Sequence, residues 1–425
     1  MAAPDPRPAI DAVWRMESAG LIAGLTRMVR DVGLAEDLAQ DALVAALERW
    51  PVSGIPEHPG AWLMATAKHR AIDWLRRDRL LDRKHQELGA RLEAGASEAQ
   101  DPEEGEIGDN LLRLMFMTCH PVLPAEGRVA LTLRLLGGLT TDEIARAFLV
   151  PEATVAQRIV RAKKTLAEEK VPFEVPRGAE LNARLSSVLE VLYLIFNEGY
   201  AATSGDDWVR PALCEDALRL GRVLSELAPQ EPEVQGLVSL MELQASRLGA
   251  RIGPSGEPIL LLDQNRSRWD HLLIRRGLAA LERAARLGGR GPYVLQASIA
   301  ACHARAKAAA ETDWPRIVAL YDDLAERLPT PVVELNRAVA VSMAAGPAAG
   351  LELVDRLVTE PSLRNYPLLP SVRADFLKKL GRTDEAREEF RRAALLTRNA
   401  RERELLLSRA AACGREGPPD PGSEG

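Results

Sequence analysis

The stretch "LTTDEIARAFLVPEATVAQRIVRAKKTL", Leu139 to Leu166, decides how the chain is read. Two apolar-periodic segments flank Phe148-Leu149-Val150-Pro151, a break too short for anything but a sharp turn. Thr140 or Thr141 suits an N-cap, with Glu143 as its capping-box partner, and Ile144, Ala145 and Phe148 then form the inner face. Pro151 is expected at the first position of the next helix, where its missing amide hydrogen costs little, and Glu152 complements the positive end of the helix dipole. That second helix buries Val155, Ile159, Ala162 and Leu166.

This burial turns Thr154, Gln157, Arg158, Arg161 and Lys164 outward, with Lys163 beside them. Small or polar residues near the N-terminus of such a helix reach base edges while the cations behind them meet phosphates, the division of labour of a helix-turn-helix. The competing reading is an ordinary amphipathic hairpin with a solvated cationic face. The usual turn glycine is absent, which bears on the turn geometry and not on the helices.

Upstream, "GLAEDLAQDALVAALERW", residues 33–50, alternates an apolar face (Leu34, Leu38, Ala42, Ala45, Leu47) with an acidic and amide face (Glu36, Asp37, Gln40, Asp41) suited to a basic partner. "HPGAWLMATAKHRAIDWLRRDR", residues 58–79, then carries Lys68, Arg70, Arg76, Arg77 and Arg79 on one helix with Trp62 and Trp74. Cations beside aromatics suit melted or single-stranded nucleic acid, because phosphates take the charge and exposed bases need a stacking surface. Trp74 reads better as a core anchor.

Composition fits this picture. The 425 residues exceed what one core holds and point to three units. Apolar content of 46% with only 4% aromatics, and abundant Ala, Leu, Arg and Glu, predict an all-α fold. Cys119, Cys214, Cys302 and Cys413 are scattered with no CxxC, which predicts reduced thiols and neither a zinc site nor a disulfide framework. Cys119-His120 reads as buried structure, since adjacent residues do not comfortably face one metal. No apolar run reaches bilayer length and no leader pattern opens the chain, so a cytoplasmic protein without membrane contact is expected. The net charge of -6 is accounted for by residues 81–109, where nine acids meet three bases, leaving the rest neutral overall and free to carry local basic patches.

Along the chain the expected units are a helical module at 10–80, a flexible acidic linker at 81–109, a second module at 110–170, a larger helical domain at 171–413 and a tail at 414–425. Within the larger domain, helix pairs are expected at Trp269–Leu287 with Tyr293–Ala306, Trp314–Leu328 with Val332–Ala345, and Ala348–Val358 with Leu369–Leu380. "TDEAREEFRRAALL" and "RERELLLSRAAA" make a further pair, and the spacing from Trp314 approaches the ~34-residue tetratricopeptide (TPR) period. "NEGYAATSGDD" has the composition of turns.

"AEDLAQDALVAALERW", "PGAWLMATAKHRAIDWLRR" and the 139–166 stretch resemble, in order, regions 2.2, 2.3 to 2.4 and 4.2 of bacterial extracytoplasmic-function (ECF) RNA polymerase sigma factors. "LYLIFNEGY", "LLDQNRSRWD" and the terminal TPR-like helices resemble the subgroup with a long helical C-terminal extension. The resemblance implies a non-enzymatic promoter-specificity subunit without cofactor or metal, partnered by the polymerase core (β′ clamp and β flap) and promoter DNA. It implies that Glu36, Asp37, Gln40 and Asp41 dock on the clamp, and that Trp62, Lys68, Arg70, Arg76 and Arg77 engage the -10 element. Thr154, Gln157, Arg158, Arg161, Lys163 and Lys164 would enter the -35 major groove, and the extension would act as a built-in regulator touching the other modules. Two other readings compete: a TPR-like scaffold that uses the helix-turn-helix for protein contacts only, and an enzyme hidden in residues 180–410.

Overall fold

The computed structural model describes the backbone of residues 7–86 and 104–413, and the side chains of 9–76, 108–178 and 180–413; it is all-α apart from two two-residue strands. Two compact units divide it, Met1–Leu192 and Tyr193–Gly425.

In the first unit, α1 (Arg7–Val29), α2 (Val32–Ser53) and α3 (Pro59–Gln86) form a three-helix module. Asp31 caps α2 by accepting from the Leu34 amide at 2.8 Å, and Gly54 ends it at φ 81°. Ile22, Leu25, Leu38, Ala42, Trp50, Leu63 and Ala67 are buried between the three helices. Leu47, expected on the inner face of α2, is exposed.

α4 (Glu104–Thr118), α5 (Ala125–Leu135), α6 (Thr141–Phe148) and α7 (Glu152–Glu168) make the second module, and α1 also packs on α4. The expected linker 81–109 is therefore shorter at both ends, since α3 runs through Gln86 and α4 starts at Glu104; residues 87–103 and the expected tail 414–425 lie outside the described residues.

Thr140 closes the expected capping box: its hydroxyl accepts from the Glu143 amide at 3.1 Å while Glu143 accepts from the Thr140 amide at 2.8 Å. Ile144 and Ala145 are buried as expected, whereas Phe148 is only half-buried. Pro151 sits at the N-cap and Glu152 opens α7, one position later than the sequence suggests. The turn without glycine is made by Leu149, which adopts the left-handed conformation at φ 50°, ψ 46°. That conformation costs a β-carbon residue roughly 1–2 kcal/mol. Because Leu149 is 51% exposed, Leu149→Gly removes this strain with little loss of burial, against ~0.5–1 kcal/mol of extra backbone entropy. The substitution is expected to stabilise the first unit by roughly 0.5–1 kcal/mol; a lower urea midpoint would mean that the Leu149 side chain contributes more than its exposure allows.

α8 (Ala179–Tyr200) crosses from the first unit to the second. Its first half packs on the second module: Arg184 donates to the Phe116 carbonyl at 3.0 Å, and Ser187 donates to the Cys119 carbonyl and accepts from Arg128, each at 2.5 Å. The segment between 171 and Leu192, expected in the C-terminal domain, thus completes the first unit.

The second unit is the expected array of TPR-like helices. α9 (Pro211–Leu227), α10 (Pro232–Ala245), α11 (His271–Arg286), α12 (Pro292–Arg305), α13 (Trp314–Arg327), α14 (Pro331–Ala345), α15 (Pro347–Leu357), α16 (Leu368–Lys379), α17 (Thr383–Leu396) and α18 (Ala400–Ala412) each pack on their sequence neighbours. Proline in the first turn starts six of them, and Asp270, Asp313, Thr330 and Asn399 cap four. The "NEGYAATSGDD" turn is tied down: β1 (Ser204–Gly205) pairs in parallel with β2 (Arg398–Asn399), and the Asn399 amide donates to the Ala202 and Asp207 carbonyls at 3.1 and 2.7 Å.

Candidate polymerase and nucleic-acid interface

α7 buries Val155, Ile159, Ala162 and Leu166 on one side. The opposite side exposes Gln157, Arg161 and Lys164, with Thr154 and Arg158 at its margins. Lys164 makes only a loose, exposed pair with Glu168 at 3.5 Å, the kind that contributes little. A polar N-terminal turn followed by accessible cations is the geometry that meeting base edges and phosphates requires.

On α3, Lys68 is half-buried and Arg70 exposed, and Arg70 pairs with Asp41 of α2 at 2.9 Å. Arg76 is exposed and 4.0 Å from Asp73; the Arg77 side chain lies outside the described residues. The two tryptophans differ in exposure, and Trp74 is not the core anchor expected of it. Trp62 is partly buried, edge-on to the buried Trp50 ring with centroids 5.3 Å apart, whereas Trp74 is 40% exposed and anchors no core.

The acidic face of α2 splits in two. Asp37 and Asp41 are exposed as expected. Glu36 is only 3% exposed, ion-paired through Oε1 with Arg134 of α5 at 2.7 Å and through Oε2 with Lys163 of α7; Gln40 donates to Oε1 at 2.6 Å. Burial pushes the Glu36 carboxyl up, but the Lys163 ammonium and Arg134 guanidinium together hold it below the ordinary carboxylate range. Lys163, placed by sequence beside the outward face of α7, is therefore turned inward, its side chain 21% exposed. Arg134 was not singled out by sequence. Its one signal is a lone cation inside the apolar run "VALTLRLLGGL", which asks for a buried partner.

Cys119 is buried and hydrogen-bonds Thr132 at 3.4 Å, and burial raises its thiol pKa; His120 Nδ1 accepts from the Val122 amide at 3.1 Å. Among the described residues no set of His, Cys, Asp and Glu is arranged to hold a metal ion, and no helix is long and apolar enough to cross a membrane.

Residues 16–80 match the Sigma-70 region 2 family and residues 113–166 the Sigma-70 region 4 family, while 184–285 match a family of unknown function. An uncharacterized protein of Rhizobium meliloti (strain 1021) is 43% identical over 383 residues, 90% of each chain. The probable ECF RNA polymerase sigma factor SigI of Mycobacterium tuberculosis (strain ATCC 25618 / H37Rv) is 28% identical over 195 residues, covering 43% of this chain and 67% of that one. This chain belongs to the ECF RNA polymerase sigma factors. The ECF sigma-E factor of Escherichia coli (strain K12) aligns at 36% identity over 76 residues, 18% of this chain and 39% of its own. Sigma factors are not enzymes; they bind RNA polymerase core and promoter DNA. In this sigma factor the region 2 match takes in α2 and most of α1 and α3, and the region 4 match takes in α5, α6 and most of α7, so the Glu36 pairs join the two matched regions.

Proposed function

We propose that this sigma factor directs polymerase core to specific promoters, with α2 docking on the β′ clamp, α3 engaging the -10 element, α7 entering the -35 major groove and region 4 contacting the β flap. The observation that carries the reading is the exposed Gln157, Arg161 and Lys164 face of a two-helix unit whose first helix is closed by a capping box, opposite a continuous apolar stripe. Asp37 and Asp41 supply the accessible clamp contact. Trp62, Lys68, Arg70, Arg76 and Arg77 supply the -10 contact, and Thr154 and Arg158 flank the -35 surface. Glu36, Gln40 and Lys163 join those surfaces when region 4 leaves region 2. The C-terminal helical domain modulates this activity, by contact with the sigma regions or with the core.

The test is in vitro transcription with purified core polymerase on a genomic library. Promoter-dependent transcripts are expected from the full chain and their loss from Asp37→Lys combined with Asp41→Lys. Both positions are exposed, and Asp41 holds only a solvent-exposed pair with Arg70, so the fold should change by under ~0.5 kcal/mol. Unaltered core affinity in the double variant would exclude this face of α2 as the clamp contact. Absence of any promoter-dependent transcript from the full chain would favour the scaffold reading instead.

A further inference from the structure

Within the second unit three guanidinium groups alternate with three aromatic rings. Arg266 lies 4.8 Å from the Trp269 ring centroid, Arg247 lies 5.8 Å from Trp269 and 5.7 Å from Tyr200, and Arg251 lies 3.8 Å from Tyr200 and 5.6 Å from Trp208. The six residues come from the end of α8, the loop after it, the turn that follows α10 and the "LLDQNRSRWD" segment before α11. Four stretches of chain converge here to bring three positive charges together.

Charge balance sets this cluster apart. Among the described residues no carboxylate forms an ion pair with any of the three arginines, whereas other arginines of the unit with little-exposed side chains, Arg210 and Arg373 among them, have one. Arg247 is only 9% exposed, and its guanidinium makes no hydrogen bond or ion pair with the described residues. Arg266 spends its donors on the carbonyls of His303 and Ala306 and on the Thr312 hydroxyl, all neutral acceptors. The ring faces attract guanidinium groups but carry no net charge, so they leave the mutual repulsion in place. That repulsion is felt locally: burial, then Arg247, then Arg266 push His303 down to about 4, which keeps this neighbour neutral at physiological pH.

Unmatched donors gather on the cluster itself, while Gln264 Oε1 nearby in the chain is an unmatched acceptor. Arg247 Nε, Arg251 Nε, Trp208 Nε1 and Trp269 Nε1 are buried N–H donors without an acceptor among the described residues. The Tyr200 hydroxyl faces Arg251, and Glu311 acts on Arg266 from beyond ion-pair distance, so the cluster stays short of acceptor oxygens and negative charge; one oxyanion provides both, and the planar guanidinium fork matches phosphate and carboxylate geometry. Its walls are fixed, because Glu198 pairs with Arg210 across the loop bearing Trp208 and Asn399 anchors that loop's backbone.

We propose that Arg247, Arg251 and Arg266, framed by Tyr200, Trp208 and Trp269, form a binding site for a multiply charged oxyanion, the phosphate or carboxylate group of a small molecule. This goes beyond promoter recognition and stands apart from it, since its readout is direct binding and not transcription. A purely structural stack of rings and cations would bind nothing saturably.

The experiment is isothermal titration of the full chain with pyrophosphate, inorganic phosphate and citrate, each against sodium chloride at matched ionic strength. Saturable binding of at least one oxyanion is expected, with an upward shift of the thermal midpoint that chloride does not reproduce; comparison of the phosphate and citrate arms assigns the group. Arg247→Met should weaken binding at least tenfold, and Arg356→Met, an exposed arginine elsewhere in the unit, should not. Should Arg247→Met fail to fold, Arg247→Lys keeps the charge, loses the fork and should weaken binding severalfold. Absence of saturable binding by the intact chain, or equal affinity in the Arg247 variants, would overturn the proposal.

Discussion

A chain ending at Lys170 is expected to lose the cooperative fold of its sigma regions, whereas one ending at Leu192 should keep it. The sequence places a boundary near Lys170, but the first half of α8 belongs to the unit that precedes it. Removing it strips Arg184 and Ser187 from the buried carbonyls of Phe116 and Cys119 and leaves Arg128 without its Ser187 and Glu190 partners. Hydrogen bonds to charged groups contribute ~1.5–3 kcal/mol each, and orphaned buried carbonyls cost about as much again. Loss of the buried Leu185 and Val188 side chains adds roughly 1.5–3 kcal/mol apiece. Together these approach the ~5–15 kcal/mol that holds a domain folded. Circular dichroism melts of the two truncations decide it: equal midpoints would show that residues 171–192 are not part of the folding unit. The comparison also controls any test of the C-terminal domain as a regulator, because inactivity of the shorter chain would report unfolding and not lost regulation.

The fold was largely legible where local chemistry marks it. The helix pairs expected from Trp269 onward fall within a few residues of their observed ends, where proline at helix starts and Asp, Thr or Asn caps mark them. α10 was harder, since Val234 through Leu243 are all buried and a helix covered on every side shows no amphipathic stripe. Trp74 continues the buried register of Ala67 and Ala71, yet α3 outruns the core that covers them. Periodicity tells which face a helix buries only while something lies against that face.

The candidate surfaces were legible in part for the same reason. The outward set on α7 follows from its own apolar stripe, so Gln157, Arg161 and Lys164 stand where spacing puts them. Glu36 and Lys163 sit in polar registers of their own helices, and their burial comes from each other and from Arg134, 98 residues from Glu36 in the chain. No local pattern encodes such a meeting.

Glu36→Gln is expected to loosen the packing of region 2 on region 4 and return Lys163 to the DNA-facing surface. In the native arrangement one carboxylate answers two cations, and its removal leaves Arg134 and Lys163 facing each other with side chains only 23% and 21% exposed. Removing one partner of a fully buried ion pair costs ~3–5 kcal/mol; with both cations partly solvated, about 2–3 kcal/mol is the reasonable expectation here. The pH dependence carries a definite sign. The Glu36 carboxyl is held below the ordinary carboxylate range, so its contribution is full above that range and is lost as pH falls from it through the lower folded-state value; the Gln variant should show no such loss. Amine acetylation of Lys163, followed by mass spectrometry, reads the change at neutral pH and should rise at least tenfold in Glu36→Gln, while the exposed Lys164 should react unchanged. A matching rise in promoter affinity is expected, because α7 regains a phosphate contact and the two regions separate enough to meet elements on the same DNA. If Lys163 labelling stays low in the variant, the region 2 to region 4 contact is held by apolar packing, and the Glu36 pairs follow that contact without controlling it.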